Sequence, residues 1–459
     1  MRDPKEIMAD QVGKLGLDIV EDSLAEDLKA GPRLEHCESL FVVGDGLIGV
    51  RGFLEGSFNV ADAAGAAALP PYVFMNGVYE EMPIRYHEAA PGFAHVSDTR
   101  IPVADAFGFD ISLGGVRLGA DVSADAHTRT LNTATGTLSR TLVWVDADTG
   151  AKLEAVFTRS ALLGEAGYAE TDVKLTCLEG SVGAVAITST LFDPIGYYVK
   201  PALEQTHTSS DDEIYDPRIG PEFETCPWEK EAELVGGADT ALTHRTKTSG
   251  FGVTVLARHT VVGAFSGLES ESFAYGLQCR VSGDLKAGES VTFKKAIAHA
   301  ADFGDKTVDT QAKAQAMLAS AMGACKAAHE SAQANTQSRA DQAALDNFLA
   351  DSRVRFTGNS RLEGAINFNL YQLFQAVGRG GDLSIGAKGQ TGEGYEGHVF
   401  WDAETYCLPV YALTAPELAR GMLTYRHARI DAARQIARNM GHKSGALFPW
   451  RSIGGQECS

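Results

Sequence analysis

The feature that most constrains the fold is a long series of short β-rich segments, which extends over about residues 36–300. The segments are rich in Val, Ile, Leu, Phe and Thr, and Gly, Asn, Asp and Ser separate them, as expected for strands joined by turns. Many short strands in series are typical of an antiparallel β-sandwich. The larger, N-terminal part of the sequence therefore predicts such a sandwich.

Two segments depart from this pattern. Residues 203–235 are polar and acidic, and their prolines interrupt any strand periodicity, so they predict a long surface insertion. From about Asp305 the chain is rich in Ala and charged residues and almost free of Gly and Pro, which favours helix. We interpret this second segment as a helical linker.

Periodic apolar residues after the linker predict packed helices. The segment from Arg361 to Val377 places apolar residues on one helical face, namely Ile366, Leu370, Leu373, Phe374 and Val377. A second helix is predicted to begin at Thr414-Ala415-Pro416-Glu417, with Thr414 as its capping residue, and to continue to Met440. Its predicted core-facing residues are Leu418, Met422, Ile430, Ala433 and Ile436.

The predicted organisation is therefore multidomain β + α. An N-terminal β-sandwich domain is expected in residues 1–303, a helical linker in residues 304–355 and the beginning of a helical domain in residues 356–459.

Charge and apolar content exclude several classes of protein. The 459 residues contain 40 Lys plus Arg against 60 Asp plus Glu, a formal net charge of −20, and no run rich in Lys or Arg. Nucleic acid and anionic membranes are therefore poor partners. No segment approaches the roughly 20 apolar residues of a membrane span, and the acidic N-terminus does not resemble a signal peptide, so we predict a cytoplasmic protein. The seven cysteines have no metal-ligand spacing, and no metal site is predicted.

The densest cluster of chemically active residues begins with the glycine-rich segment from Lys388 to His398 and continues directly into Trp401, Asp402 and Glu404. A sugar presents apolar C–H faces and a ring of hydroxyl groups, so its site needs an aromatic wall and a few fixed polar groups. Trp401 and Asp402 supply one of each. These residues are therefore candidates for carbohydrate binding.

Other interpretations of this cluster remain open from the residues alone. Trp401 could be a core aromatic residue, and Asp402 or Glu404 could be an acid at a helix N-terminus. The glycines lack the Lys-Ser/Thr pair and the strand-then-helix setting of a nucleotide loop, so a nucleotide site is rejected. A second cluster, Gly445 to Arg451, combines Trp450 with an arginine and could equally be a packed turn.

Two long segments resemble glycoside hydrolase family 65. The first is GYEGHVFWDAETYCLPVYALTAPELARGMLTYRHARIDAARQIARNMGHKSGALFPWRS, which is similar to the beginning of the catalytic domain of that family. The second lies in the N-terminal half, where ESLFVVGDGLIGVRGFLEG and YVFMNGVYEEMPIRYHEAAPGFAHVSDTRIPVAD resemble signatures of the family's β-sandwich. One departure is Asp45, where the family's Gly-Asn-Gly turn has Asn. Because Asp and Asn both tolerate left-handed backbone, the fold prediction is unaffected.

The resemblance implies a fold and a set of binding residues. Family 65 members have an N-terminal super-sandwich, a helical linker, an (α/α)6 barrel and a small C-terminal β-domain. The Trp-Asp pair that binds glucose before the scissile bond corresponds to Trp401 and Asp402. Further substrate-binding candidates lie in neighbouring motifs, namely His398, Glu404, Trp450 and Arg451.

The resemblance also implies an activity, that of an inverting α-glucoside phosphorylase. The N-terminal motifs NGVYE, PIRYHE and PGFA are most similar to those of kojibiose phosphorylase-like members. A disaccharide and inorganic phosphate would be the substrates, β-glucose 1-phosphate a product, and no cofactor would be needed. The family's general-acid Glu and its phosphate site are expected beyond Ser459, so no catalytic residue is assigned and the chain is expected to be truncated and inactive alone. A separately encoded C-terminal half is a possible partner, as is a second copy in a homodimer.

Two other functions remain open. One is a glycoside hydrolase of the same fold, similar to acid trehalases, which the downstream residues would distinguish from a phosphorylase. The other is a non-catalytic carbohydrate-binding fragment, which would bind glucose through Trp401 without turnover.

Overall fold

The computed structural model describes most of the sandwich and nearly all of the C-terminal region. The described residues are 17–20, 22–28, 35–56, 72–84, 90–118, 124–146, 149–161, 167–198, 223, 225–303, 319, 323, 337–392 and 394–459. Most of the predicted linker therefore lies outside them, as does the acidic segment 199–222. Among the helices of the described ranges, none combines the length and the apolar content needed to cross a membrane.

The strands account for most of the described chain up to residue 303. In chain order they are β1 (Leu17–Val20), β2 (Ser23–Asp27), β3 (Val43–Gly44), β4 (Ile48–Val50), β5 (Val73–Pro83), β6 (Val96–Pro102), β7 (Phe109–Leu113), β8 (Val116–Arg117), β9 (Ala126–Asn132), β10 (Thr137–Val145), β11 (Lys152–Ala161), β12 (Tyr168–Glu179), β13 (Ser181–Phe192), β14 (Trp228–Gly236), β15 (Asp239–Thr246), β16 (Gly252–Gly263), β17 (Glu269–Phe273), β18 (Gly276–Lys286), β19 (Ser290–Asp302), β20 (Val399–Phe400) and β21 (Arg451–Ser452).

The helices lie mainly after the sandwich. They are α1 (Glu35–Leu40), α2 (Gln337–Ser352), α3 (Ser360–Ala376), α4 (Leu408–Thr414), α5 (Pro416–Ala428) and α6 (Ile430–Asn439). Short 3₁₀ segments occur at Pro194–Tyr198 and Tyr395–Gly397, and a π-helical turn, Ala403–Cys407, precedes α4.

The strands of the described residues form four sheets, of which two pack as the layers of a sandwich, one has four strands and one is the pair β20–β21. The large sheet has the order β1-β2-β9-β10-β11-β12-β19-β16-β15-β14, and a five-stranded sheet has the order β17-β18-β13-β7-β8. Alternate residues of β11, such as Leu153 and Phe157, are buried against residues of the opposite sheet such as Ile187 and Val281. All their strand pairs are antiparallel. The predicted antiparallel sandwich followed by helices is confirmed.

The four-stranded sheet β3-β4-β5-β6 joins the sandwich to the helices. Its buried residues, including Val50 and Ile101, belong to one apolar cluster with Leu138 of the large sheet and with Tyr371 and Met422 of the helices. Burying apolar side chains from all three parts in one cluster stabilises their relative placement. Hence residues from the sandwich can contribute to a site in the helical region.

The turn between β3 and β4 depends on the side chain of Asp45. Its Oδ1 accepts hydrogen bonds from the backbone N–H of Leu47 at 2.8 Å and of Ile48 at 2.7 Å, and its Oδ2 accepts one from Gly167 at 2.6 Å. The left-handed position in this turn is Gly46, with φ of 90°, and Asp45 does not have positive φ. The tolerance of Asp for left-handed backbone is therefore not used at residue 45, where the carboxylate fixes the turn by accepting hydrogen bonds.

Replacement of Asp45 by Asn is expected to change how stability depends on pH. Burial raises the pKa of Asp45 to about 6, although three backbone N–H groups and Arg379 oppose the shift. The folded state then binds more protons than the unfolded state between about pH 4 and 6, so ionising Asp45 costs stability as the pH rises through this window. The variant lacks this cost.

The urea unfolding free energy of Asp45→Asn minus that of the wild type should therefore increase by roughly 2 kcal/mol between pH 4.5 and 7.5. The variant also loses the acceptor for the backbone N–H of Gly167. This loss lowers its unfolding free energy equally at every pH, so it does not change how the difference from the wild type depends on pH. A difference that stays constant with pH would contradict the prediction.

Two boundaries differ from those predicted. The proposed insertion covers residues 203–235, but its last part, from Trp228, belongs to strand β14 at the edge of the large sheet. The charged side chains of this strand are largely exposed. Charged residues are common on edge strands because they discourage pairing with other chains. The acidic composition therefore led to the prediction of a loop where the chain forms a strand.

The predicted helix from Thr414 to Met440 is two helices, α5 and α6, which meet at Arg429. Neither Gly nor Pro marks this break. The guanidinium group of Arg429 lies 3.7 Å from the centre of the Tyr425 ring, and its Nε donates to the carbonyl of Ile453 at 3.1 Å. Thr414 does not cap α5, since its hydroxyl donates to the carbonyl of Val410.

Helix α3 is present as predicted, but its buried face is rotated. The buried residues of α3 are Gly364, Asn367, Tyr371, Phe374, Gln375 and Ala376. The predicted Ile366, Leu370 and Leu373 are only partly buried. Asn367 can be buried because its side-chain amide exchanges two hydrogen bonds with the backbone of Val354. Tertiary hydrogen bonding therefore shifted the face away from the purely apolar stripe.

Candidate functional site

The two sequence clusters that contain tryptophan come together through a short strand pair. Phe400 of β20 pairs with Arg451 of β21, so Trp401 and Trp450 lie side by side next to the paired residues. Their ring centres are 4.8 Å apart with an interplanar angle of 81°. Trp401 is 46% exposed and Trp450 is 44% exposed, so neither is a core residue. The interpretation of Trp401 as core is therefore excluded.

A cleft of about 720 Å³ opens beside Trp450, whereas Trp401, which contacts Trp450, is not among the described residues that line it. Its aromatic lining residues are Tyr395, Phe400, Tyr406 and Trp450. Its polar lining residues are Ser39, Asn369, Gln372, Gln375, Lys388, Gln390, Thr391 and Asp402. Among the described residues of the lining, Lys388 and Asp402 carry the formal charges. Aromatic surfaces together with amide, hydroxyl and carboxylate groups suit a polyhydroxylated ligand.

Asp402 stands at the start of the π-helical turn Ala403–Cys407, and its carboxylate makes no capping hydrogen bond. Asp402 and Glu404 are therefore acids at a helix N-terminus, as one interpretation of the sequence stated, although Asp402 does not cap the turn through a side-chain hydrogen bond. π-Helical turns are rare and often occur at functional sites, because the wider turn redirects side chains. The carboxylate lies in the lining of the cleft, where it can accept hydrogen bonds from ligand hydroxyl groups.

Glu404, two residues further, has a different environment. Its Oε1 accepts a hydrogen bond from Nε of Arg426 on α5 at 2.7 Å, and this ion pair is mostly shielded from solvent. Glu404 does not belong to the described lining of the cleft. The structure thus gives it a contact that holds the π-helical turn against α5.

His398 and Arg451 lie behind the wall of the cleft. His398 is completely buried, and burial together with the positive charges of Arg451 and Arg100 lowers its pKa to about 3. The imidazole is therefore neutral at physiological pH. Arg451 is also buried, with Nη1 3.7 Å from Oε1 of Glu396. Neither residue is among the described residues that line the cleft.

Tyr395 and Glu396 were not singled out in the sequence but shape this wall. Both have positive φ, 56° and 54°. Two successive non-glycine residues in the left-handed region are strained and need external support. Glu396 receives it through hydrogen bonds from the hydroxyl groups of Ser97 and Thr99 on β6, the latter at 2.8 Å. The flanking Gly394 and Gly397 were a sequence signal for this unusual backbone.

The amides of α3 were also missed. Asn369, Gln372 and Gln375 recur every three residues and line the cleft, but the apolar stripe of the same helix dominated its interpretation. Gln375 donates to Oε1 of Gln372 at 2.8 Å, and Gln372 donates to the carbonyl of Leu40 at 3.0 Å. A polar period of three within an amphipathic helix was the available signal.

Comparison with known protein families matches nearly the whole chain. Residues 26–337 match the family model described as "Glycosyl hydrolase family 65, N-terminal domain", and residues 367–459 match that of the "Glycosyl hydrolase family 65 central catalytic domain". The chain belongs to glycosyl hydrolase family 65. The family suggested by the two resembling segments is thereby confirmed.

Several relatives of this family 65 chain are named as phosphorylases. It is 28% identical over 437 residues to an α,α-trehalose phosphorylase of Thermoanaerobacter brockii, covering 92% of this chain and 51% of the relative. Over 111 residues it is 41% identical to a kojibiose phosphorylase of Caldanaerobacter subterraneus subsp. tengcongensis, covering 24% of this chain and 14% of the relative.

Its fold is similar to a solved structure of a human-microbiome protein assigned as a kojibiose phosphorylase. The TM-score is 0.78 at 20% identity, covering 97% of this chain and 54% of the other. This family 65 chain spans about half the length of the curated relatives it matches.

Proposed function

We propose that this chain forms the glucose-binding part of an inverting α-glucoside phosphorylase. The observation that carries the proposal is the cleft, whose lining contains Asp402, free of any capping bond, and the half-exposed Trp450. Trp401 packs against Trp450 next to this lining. In the proposed complex Trp401 and Trp450 contact the apolar faces of the sugar. Asp402 accepts hydrogen bonds from hydroxyl groups of the glucosyl unit.

The proposed reaction needs one acid from the protein and a phosphate ion. The acid protonates the glycosidic oxygen as the bond from that oxygen to the anomeric carbon breaks. A phosphate oxygen attacks the anomeric carbon from the opposite face, which yields β-glucose 1-phosphate and a free sugar. Phosphate is already an anion, so no second carboxylate is needed to activate it, as water would require in an inverting hydrolase. No cofactor or metal takes part in the proposed reaction.

A source for the acid is part of the proposal. Among the described residues that line the cleft, Asp402 is the carboxylate, and it is assigned to glucose binding. We propose that the general acid and the phosphate-binding groups belong to the region of the longer relatives that the matched half does not cover. Exposed apolar side chains are available for contact with such a region, since Tyr406 in the lining of the cleft is 73% exposed and Leu413 on α4 is 86% exposed.

The remaining predicted residues receive positioning roles in this proposal. Glu404 fixes the turn that carries Asp402 through its ion pair with Arg426, and Arg451 fixes Trp450 through the β20–β21 pair. His398 fills the space between β6 and the cleft wall as a neutral side chain. We also propose a cytoplasmic location and assembly as a homodimer. The sandwich, linker and catalytic regions are proposed to occupy residues 1–303, 304–355 and 356–459.

Two disaccharides are the leading substrate candidates. Kojibiose is favoured by the amino-acid sequence of the N-terminal signatures and by the similarity to kojibiose phosphorylases. Trehalose is favoured by a second α,α-trehalose phosphorylase, from Geobacillus stearothermophilus, which is 52% identical over 115 residues, covering 25% of this chain and 15% of the relative. The substrate panel of the test therefore contains kojibiose, trehalose, maltose and nigerose.

The test incubates each disaccharide in phosphate buffer with the chain alone and with the chain mixed with a polypeptide that carries the region of the relatives not covered by the match. Products are followed by NMR. β-Glucose 1-phosphate formed only by the mixture would support the proposal. Free glucose formed without phosphate would instead establish a trehalase-like hydrolase. Glucose binding without any product would favour the non-catalytic carbohydrate-binding function, and β-glucose 1-phosphate from the chain alone would overturn the proposed source of the acid.

A further inference from the structure

We propose that Arg100, a residue of the β-sandwich region, is a positioning residue for the wall of the cleft. Arg100 lies on β6, in the sheet that joins the sandwich to the helices. This inference rests on the proposed sugar site, because it explains how one wall of that site keeps its shape. The wall concerned is the loop of residues 388–392, all of which line the cleft.

The guanidinium group of Arg100 binds three backbone carbonyls of this loop. Nη1 donates to the carbonyl oxygen of Gln390 at 2.6 Å and to that of Gly389 at 3.3 Å. Nη2 donates to the carbonyl oxygen of Gly392 at 2.7 Å. A single side chain from the sandwich region therefore determines the direction of three peptide groups in the wall.

The guanidinium group is itself held in place. Its carbon lies 4.4 Å from the centre of the Phe74 ring on β5, a distance suited to a cation–π interaction. On the other side the chain passes closely at Gly397, where a Cβ would lie 2.7 Å from Cβ and Cδ of Arg100. Only glycine fits there. Arg100 is thus confined between an aromatic ring and the backbone of the motif that leads to Trp401.

A second contact anchors the same loop to the turn between β3 and β4. Nε2 of Gln390 donates to the carbonyl of Gly46 at 3.0 Å and to the carbonyl of Ala376 at 2.8 Å. The side chain of Gln390 therefore fixes the loop at one point, whereas Arg100 fixes its backbone over four residues. Of the two anchors on the sheet side, Arg100 lies on β6 and Gly46 lies in the turn between β3 and β4 of the same four-stranded sheet.

The composition of the loop explains why this support matters. Gly386, Gly389 and Gly392 provide no side chains to pack, and glycine has the greatest backbone freedom of all residues. The conformation must therefore come from hydrogen bonds to neighbouring groups. Arginine can bind several carbonyls at once with its planar set of donors, whereas the single ammonium group of lysine cannot span them.

The test compares Arg100→Met and Arg100→Lys with the wild-type chain and with a matched control, Arg258→Met. Arg258 is also a partly buried arginine on a strand, where Nε and Nη2 bind the two carboxylate oxygens of Asp239, both at 2.8 Å. Glucose and kojibiose binding are measured by calorimetry, and amide hydrogen exchange is followed in residues 386–392. Thermal unfolding is recorded for each variant.

Arg100→Met is expected to weaken sugar binding on the order of tenfold or more and to accelerate exchange in the loop. Arg100→Lys should restore part of both properties, and Arg258→Met should alter neither, although its melting temperature falls by a similar amount. Unchanged exchange in Arg100→Met would overturn the positioning role. Faster exchange with unchanged affinity would show that the conformation of the loop does not affect sugar binding, and would overturn the link between Arg100 and the sugar site. If the wild type binds no sugar, the proposed function fails, and the exchange data still decide whether Arg100 holds the loop.

Discussion

Replacement of Asp402 by Ala is expected to weaken glucose binding on the order of a hundredfold. The carboxylate lies in the lining of the cleft and makes no capping bond with its own helix, so its hydrogen-bonding capacity is available to a ligand. A hydrogen bond to a charged group contributes roughly 1.5 to 3 kcal/mol, and a carboxylate can accept from two sugar hydroxyls. Calorimetric titration of the chain with glucose and kojibiose measures the loss.

Two further variants make this experiment specific. Asp402→Asn keeps the shape and one acceptor but removes the charge, so it should lose less affinity than Asp402→Ala. Asp431→Ala is the matched control, because Asp431 is an acid whose side chain is 89% exposed and pairs with Arg434 at the start of α6. Its removal should leave both binding and stability close to those of the wild type. Wild-type affinity in Asp402→Ala would refute the assigned role of this residue.

Replacement of Glu55 by Gln is expected to destabilise the protein by about 3 to 5 kcal/mol. Glu55 is buried in the sandwich, where its Oε1 accepts a hydrogen bond from Nη2 of Arg159 at 2.8 Å and its Oε2 lies 3.5 Å from Nη1 of Arg140. Both arginines are buried as well. Removing the negative charge takes an opposite charge away from both arginines in a medium of low polarity, although Asp105 still favours the charged form of Arg159.

Burial already disfavours the charged form of Arg159, since it lowers the pKa of that guanidinium group, and Glu55 opposes the shift. The guanidinium carbon of Arg159 also lies 4.0 Å from the centre of the Phe53 ring, so the arginine cannot easily move to solvent. Urea unfolding at neutral pH measures the effect on the unfolding free energy.

The matched control for Glu55 is Glu179→Gln. Glu179 forms an ion pair with Lys152 at 3.0 Å, but the two side chains are 63% and 37% exposed. Solvent screens such a pair, so its loss should change stability by less than about 1 kcal/mol. Equal effects for the two glutamates would show that burial does not determine the contribution of Glu55.

Much of the architecture could be predicted from local patterns. Alternation of buried and exposed residues, as in β11, identified the sandwich strands, and the family signatures identified the helical region that follows. The edge strand β14 was missed, because its exposed, charged residues have the composition of a loop. The break at Arg429 was missed as well, since no helix-breaking residue marks it; in the structure Arg429 contacts the ring of Tyr425 and the carbonyl of Ile453.

For the candidate site, the sequence predicted several of the residues involved but not the contacts between them. Trp401 and Asp402 were predicted as sugar-binding residues, and this role stays a prediction. Asp402 lines the cleft, whereas Trp401 is not among the described residues of its lining. The ion pair of Glu404 with Arg426 and the burial of His398 could not be predicted, because each depends on partners far away in the chain. The strained backbone at Glu396 likewise depends on Ser97 and Thr99, which are separated from it by almost 300 residues.

The sequence by itself determined the order of strands and helices, the family, and the aromatic and acidic residues available to a sugar site. These properties follow from local periodicity and from contiguous motifs. Only the tertiary structure decided that Trp450 meets Trp401 across the β20–β21 pair, and that Arg100 of the sandwich region fixes the glycine-rich wall. The physical reason is that hydrogen bonds and ring contacts between distant segments depend on packing in three dimensions, which no local pattern encodes.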